Sequence, residues 1–225
     1  MAKTKEEKTI FIKRIIMSVV GVIFCGVAVS FFKTAAFGVD PFQSLMAGLD
    51  AMIPISYGTL YVIVNAILLL FSIIADRHQI GIATFINLFL LGYIVDGSMW
   101  IFGKVVPEPN IVLRIIFMLI GILMICFSCA LYMTADLGVS TYDAVSIVMA
   151  DKWHWGKRKY LRVATDFVCV VAGGVIFVLA GRAIKEIPTI IGVGTIITAF
   201  FMGPLIDLFS NIVAKPLLYG KKKAE

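Results

Sequence analysis

The chain has 225 residues, of which 60% are hydrophobic and 15% charged, against about 45–50% and about 25% in an ordinary soluble domain. Long uncharged runs, with no Pro-, Gly- or Ser-rich tract, exclude an ordinary soluble enzyme, a disordered chain and a modular scaffold. The net charge of +6 does not indicate nucleic acid, because the basic residues sort by position along a membrane protein.

Six stretches are long and apolar enough to cross about 30 Å of hydrocarbon: residues 15–34, 57–75, 79–103, 111–135, 160–182 and 188–212. The fold class this predicts is an all-α polytopic membrane protein, with a basic N-terminus at 1–14 and a basic tail at 213–225. The first run is too long for the core of a secretion signal and has no small-residue cleavage site, so it reads as a retained anchor. The fifth span is the weakest. Its uncharged part runs only from Phe167 to Gly181, which leaves Arg162 and Asp166 in the membrane or at its edge.

With the N-terminus in the cytoplasm, that side receives 15 of the 20 basic residues, including Lys3, Arg14, Arg77, Lys152, Lys157, Arg158, Lys159, Lys215, Lys221, Lys222 and Lys223. Lys33, Lys104, Arg114, Arg182 and Lys185 fall on the other. This division predicts both termini in the cytoplasm of a bacterial inner membrane. The Lys157–Lys159 cluster has a second reading as a contact for anionic lipid. Cys25, Cys126, Cys129 and Cys169 all fall inside spans and form no disulfide framework. Cys126-x-x-Cys129 lacks further ligands at metal spacing, so the thiols read as packing residues, and neither a metal nor a cofactor is expected.

The sequence repeats. Shifted by 100 residues, Arg14, Gly21, Thr34-Ala35 and Gly38-Val39 align with Arg114, Gly121, Thr134-Ala135 and Gly138-Val139. Shifted by 111, Gly81, Thr84, Phe89, Gly92 and Asp96 align with Gly192, Thr195, Phe200, Gly203 and Asp207. The repeats are residues 15–103 and 111–212, each with three crossings. An odd number turns the second upside down, so the expectation is a pair of inverted three-helix repeats, as in many secondary transporters.

Each repeat carries a short segment after its first span. Asp40 with Pro41 reads as an N-cap and first helical residue, and Ser140 with Asp143 as a capping box. Neither helix can span. They are either re-entrant half-helices, whose N-terminal N–H groups suit an anion, or amphipathic helices lying at the interface. The segments GVDPFQSLMAGL, ISYGT, GIAT and IGVGTIITAFFMGPLIDLF resemble the YczE/YyaS/YitT-type bacterial integral membrane proteins, over nearly the whole chain. The resemblance implies membrane location and a duplicated fold, and names no substrate.

An ionisable group in hydrocarbon costs about 2.5–3.5 kcal/mol on insertion scales, so each needs a partner or a wet cavity. Asn65 and Asp166 lie roughly 12 and 9 Å into their spans. Asp166 is either a functional carboxylate or the i+4 partner of Arg162, and Tyr61 either adds a hydroxyl to Asn65 or anchors at the interface. Gln43 and Asp143 correspond across the repeat, one turn into the short helices. Asp96 and Asp207 correspond near the far ends of their spans, as gate or helix-end residues. Gly81, Gly192 and Gly194 allow close packing or an unwound hinge, Pro188 and Pro204 could kink the sixth span, and Lys33 reads as snorkelling to the headgroups.

The leading expectation is therefore a small secondary transporter moving a small polar, zwitterionic metabolite by alternating access. Asp40, Gln43, Tyr61, Asn65, Ser140, Thr141, Asp143 and Asp166 would form its substrate site, with a proton as candidate coupling ion. Its partners would be the lipid bilayer and one small molecule, with a homodimer left open. The alternative is a non-catalytic accessory subunit that captures a ligand for a partner. An enzyme is not expected: His78 and His154 are isolated, and no catalytic motif is present.

Overall fold

The computed structural model describes residues 5–76 and 80–220. Lys3, Arg77, His78 and Lys221 to Lys223 lie outside these residues. Every regular element described is a helix: α1 (Lys5–Ala35), α2 (Pro41–Met52), α3 (Tyr57–Asp76), α4 (Ile82–Val105), α5 (Ile111–Ala135), α6 (Thr141–Ile147), α7 (Arg158–Leu179), α8 (Val193–Phe209) and α9 (Lys215–Tyr219). A π turn at Val148–Lys152 extends α6, a 3-10 turn at Ile184–Thr189 precedes α8, and a second π turn at Ser210–Ala214 follows it. Six helical segments are long and apolar enough to cross a membrane, the sixth being the composite Ile184–Tyr219. Their outer faces carry large apolar side chains such as Ile74 and Phe200, as lipid contact requires. The protein is a multi-pass helical membrane protein, and its four cysteines are free thiols.

The helix ends follow from local chemistry. Asp40 accepts the Gln43 N–H at 3.2 Å with Pro41 behind it, Ser140 accepts the Asp143 N–H at 3.0 Å, and Asn110 accepts the Leu113 N–H at 2.9 Å. Gly81 and Gly192 are the N-caps of α4 and α8, each donating its N–H at 3.2 Å to the hydroxyl of the threonine three residues on. The sixth span differs from its sequence reading. Pro188 sits in the 3-10 turn before α8 and so does not kink it, because the chain already breaks at Ile190–Gly192. Pro204 lies inside α8 without ending it. The basic N-terminal stretch is helical from Lys5, which makes α1 31 residues long.

α1 and α5 form an antiparallel pair at the centre. Near one end Arg114 donates from Nε and Nη2 to the carbonyls of Ala35 and Ala36 at 2.7 and 2.8 Å. At the other, Arg14 reaches the Asp136 carboxylate at 3.6 Å, and midway the Ser128 hydroxyl donates to the Gly21 carbonyl at 2.7 Å. Arg114 thereby satisfies orphan carbonyls and opposes the negative end of the α1 dipole. Arg114→Met is expected to destabilise the protein by about 1.5–3 kcal/mol, the usual worth of hydrogen bonds to a charged donor, with thermal unfolding in detergent as the readout; an unchanged melting temperature would contradict this cap.

Packing crosses between the two parts of the chain. α2 lies on α7 with backbones touching: a Cβ on Gly48 would fall 2.4 Å from the Gly173 carbonyl oxygen, and one on Gly173 equally close to that of Ser44. α6 and its π turn run along α3, with Thr141 at Asn65, Trp153 on Phe71 and the Lys152 ammonium at the Ala75 carbonyl. The breaks before the short helices interlock with the caps of α4 and α8. Ala83 N–H donates to the Leu137 carbonyl at 3.0 Å, and Gly194 N–H to the Phe37 carbonyl at 2.7 Å.

Candidate functional site

The first turns of α2 and α6 meet in the interior, where Phe42 and Tyr142 stack with ring centroids 4.8 Å apart and planes 21° from parallel. Polar groups lie on either side of this pair. The α2 side holds Gln43, whose Oε1 accepts from the Tyr57 hydroxyl, and Tyr61, whose hydroxyl donates to Asn87 Oδ1 at 2.9 Å. Tyr61 is buried, which removes the interfacial-anchor reading. Asn65, 1% exposed, accepts from the Thr141 hydroxyl and donates from Nδ2 to the Tyr61 carbonyl at 2.8 Å. Bonds at both its nitrogen and its oxygen let so deeply buried an amide stay in place.

The α6 side is charged. The Tyr142 hydroxyl donates to Asp166 Oδ1 at 2.5 Å, and Ser140 donates to Asp143 Oδ2 at 2.7 Å. Arg162 bridges the two carboxylates, with Nη1 on Asp143 and Nε 3.2 Å from Asp166, while its guanidinium lies 4.6 Å from the Tyr142 ring centroid. α6 is thus wedged between α3 and α7, with Thr141 facing one and Tyr142 the other. Asp40, at the α2 cap and outside the six spans, belongs to the same field. Burial pushes its carboxyl up to about 6, against the Gln43 N–H and the Arg162 guanidinium, which pull it down, while Asp166 adds repulsion.

Several sequence expectations change here. The sequence pattern suits the α2 and α6 N-termini to an anion, but their first-turn N–H groups at Gln43 and Asp143 already bond to Asp40 and Ser140. Acidic side chains at both ends favour a cation or a proton instead. Asp96 accepts the Gly58 N–H at 2.7 Å and so caps α3 from α4, in keeping with the helix-end alternative. Asp207 is exposed on α8, apart from this cluster. Gly81, Gly192 and Gly194 act by close approach at the start of a helix. A Cβ would meet the Leu137 carbonyl oxygen at 1.9 Å, that of Phe37 at 2.5 Å and that of Gly38 at 2.5 Å, respectively.

Sequence reading missed Phe42, Tyr57, Asn87 and Tyr142, and left Arg162 as a mere neighbour of Asp166. Phe42 and Tyr142 carry one usable signal, their alignment at the shift of 100. Lys33 does not snorkel freely. It pairs with Asp50 at 3.4 Å, lies 3.9 Å from the Tyr57 ring centroid, and lines a cavity of about 90 Å³ with Gln43, Tyr57 and Ile190. Drug-sized ligands occupy about 300–1,000 Å³, so this conformation holds at most a small chemical group.

The chain is similar to two bacterial proteins. It is 24% identical to "Uncharacterized protein YyaS" of Bacillus subtilis (strain 168), over 91% of this chain and 96% of that one. It is 25% identical to an "Uncharacterized protein" of Haemophilus influenzae (strain ATCC 51907 / DSM 11121 / KW20 / Rd), over 94% of this chain and 88% of that one. No solved structure matches. A family model described as "Family of unknown function (DUF6198)" matches residues 12–211, nearly the whole length, and the chain belongs to that family.

Proposed function

We propose that the protein is a small secondary transporter, built as two inverted repeats whose short helices α2 and α6 re-enter from opposite faces and meet at its centre. The meeting of Phe42 with Tyr142, with polar groups on both sides, carries this reading. Two sets of contacts support it, because they correspond at the repeat offsets of the sequence. The Ala83–Leu137 bond matches Gly194–Phe37, and Arg114 on Ala36 matches Arg14 on Asp136. Inverted repeats around a midplane site allow one to rock against the other. We assign both termini to the cytoplasm and the protein to the bacterial inner membrane, from the division of the basic residues.

On this reading the stacked pair separates two half-sites. The Arg162 cluster holds more carboxylates than cations, so it receives the cationic group of a small zwitterionic solute or the coupling proton. Binding there competes with Arg162 for Asp166, and release of Arg162 is the event that frees α7 from α6. In proteoliposomes with an imposed pH gradient, a panel of small polar metabolites should yield one that accumulates. Asp166→Asn should abolish its proton-coupled uptake, while Asp143 keeps Arg162 paired and the fold intact. Unchanged uptake by that variant removes Asp166 from the mechanism.

A further inference from the structure

The cavity beside Lys33 has a chemical character of its own. Its polar acceptors are already used: the Thr189 carbonyl accepts from Gly38 N–H at 3.2 Å, and the Ile190 carbonyl from Val39 N–H at 3.2 Å and the Ser44 hydroxyl at 2.8 Å. Gln43 Oε1 accepts from Tyr57. What remains open is donors. The Gln43 side chain is only 7% exposed, lines the cavity, and its amide nitrogen has no hydrogen-bond partner among the described residues. The Lys33 ammonium has three donors, and its one carboxylate partner stands at 3.4 Å, long for a charge-assisted bond of about 2.7–2.9 Å. Val39 and Ala47 supply apolar wall. About 90 Å³ suits a carboxylate with a short aliphatic stem.

We propose that this cavity is a carboxylate-binding subsite, with Lys33 and the Gln43 amide as donors and Asp50 as the internal competitor that holds Lys33 when no solute is present. The inference rests on the carrier reading above and deepens it: the solute is a small carboxylic acid, whose anionic end docks at Lys33 before its other end reaches the Arg162 cluster. The ammonium donor at one half-site and the carboxylates at the other then give the solute one orientation along the path.

The test uses the full chain, purified and measured both by thermal unfolding in detergent and by uptake into proteoliposomes. The probes are matched pairs that differ only in the carboxylate, such as alanine with alaninamide and lactate with lactamide. At least one acid should raise the melting temperature and be taken up, while its amide does neither. Lys33→Gln should weaken the apparent affinity for that acid by about tenfold or more, the worth of a charge-assisted hydrogen bond. Asp50→Asn should strengthen it, an opposite sign that mere loss of folding cannot produce. Equal response to acids and amides, or an affinity unmoved by Lys33→Gln, overturns the subsite and leaves the carrier standing. If neither member of any pair binds or moves, both the subsite and the carrier reading fall.

Discussion

Arg162→Gln is expected to abolish uptake and to destabilise the protein by about 1–3 kcal/mol. The substitution leaves Asp143 and Asp166 facing each other without a counter-charge and Tyr142 without its cation. A fully buried pair broken on one side costs about 3–5 kcal/mol. Here the side chains are 41% exposed for Arg162, 40% for Asp143 and 21% for Asp166, and screening reduces the cost. The double variant Arg162→Gln/Asp166→Asn should recover at least half of the lost stability, since it removes one of the two repelling carboxylates. Thermal unfolding of the wild type, both single variants and the double variant gives the coupling directly. Additive losses would show that Arg162 does not act as the bridge.

Gly138→Ala should lower stability by several kcal/mol, through backbone strain and overpacking together. Gly138 has φ +114, where a side chain is strained, and a Cβ there would stand 2.5 Å from Gly81 N and 2.8 Å from Thr84 Oγ1. Left-handed strain of about 1–2 kcal/mol and overpacking of about 1–3 kcal/mol put the loss at roughly 2–5 kcal/mol. Gly97→Ala is the control: it sits in α4 with nothing within 4 Å, so the higher helix propensity of alanine should leave stability equal or slightly raised, by up to about 1 kcal/mol. A Gly138→Ala protein that melts with the wild type would mean that the two crossings of chain break and helix cap, Gly138 on Gly81 and Gly38 on Gly192, are looser than described.

The features legible in the sequence are those that local chemistry specifies. Asp40-Pro41 and Ser140-x-x-Asp143 announce helix starts because a capping side chain acts within three residues, and long apolar runs announce spans because lipid demands them along the whole segment. The charge bridge was not legible. Arg162 and Asp166 share a helix face, but nothing local says that Asp143, nineteen residues earlier than Arg162, returns to complete the set. Lys33 was misread for the same reason, since snorkelling is the default for a lysine at a span end until Asp50 and Tyr57 fold back onto it. Asp96 and Asp207 teach a different lesson. Sequence equivalence located both, yet one caps α3 and the other is exposed, so positions that align at the repeat offset need not keep matching tasks.

The most direct measurement is cysteine accessibility from each face, with Cys25, Cys126, Cys129 and Cys169 replaced by alanine and single cysteines placed at Phe42, Ile53, Tyr142 and Trp155. A membrane-impermeant maleimide applied to right-side-out and inside-out vesicles should label Ile53→Cys from one face only and Trp155→Cys from the opposite face only. Phe42→Cys and Tyr142→Cys should react from neither, because both side chains are buried and the proposed re-entry of α2 and α6 puts only their far ends at opposite faces. Labelling of Phe42→Cys together with Ile53→Cys from one side, or of Ile53→Cys and Trp155→Cys from the same side, would contradict the account.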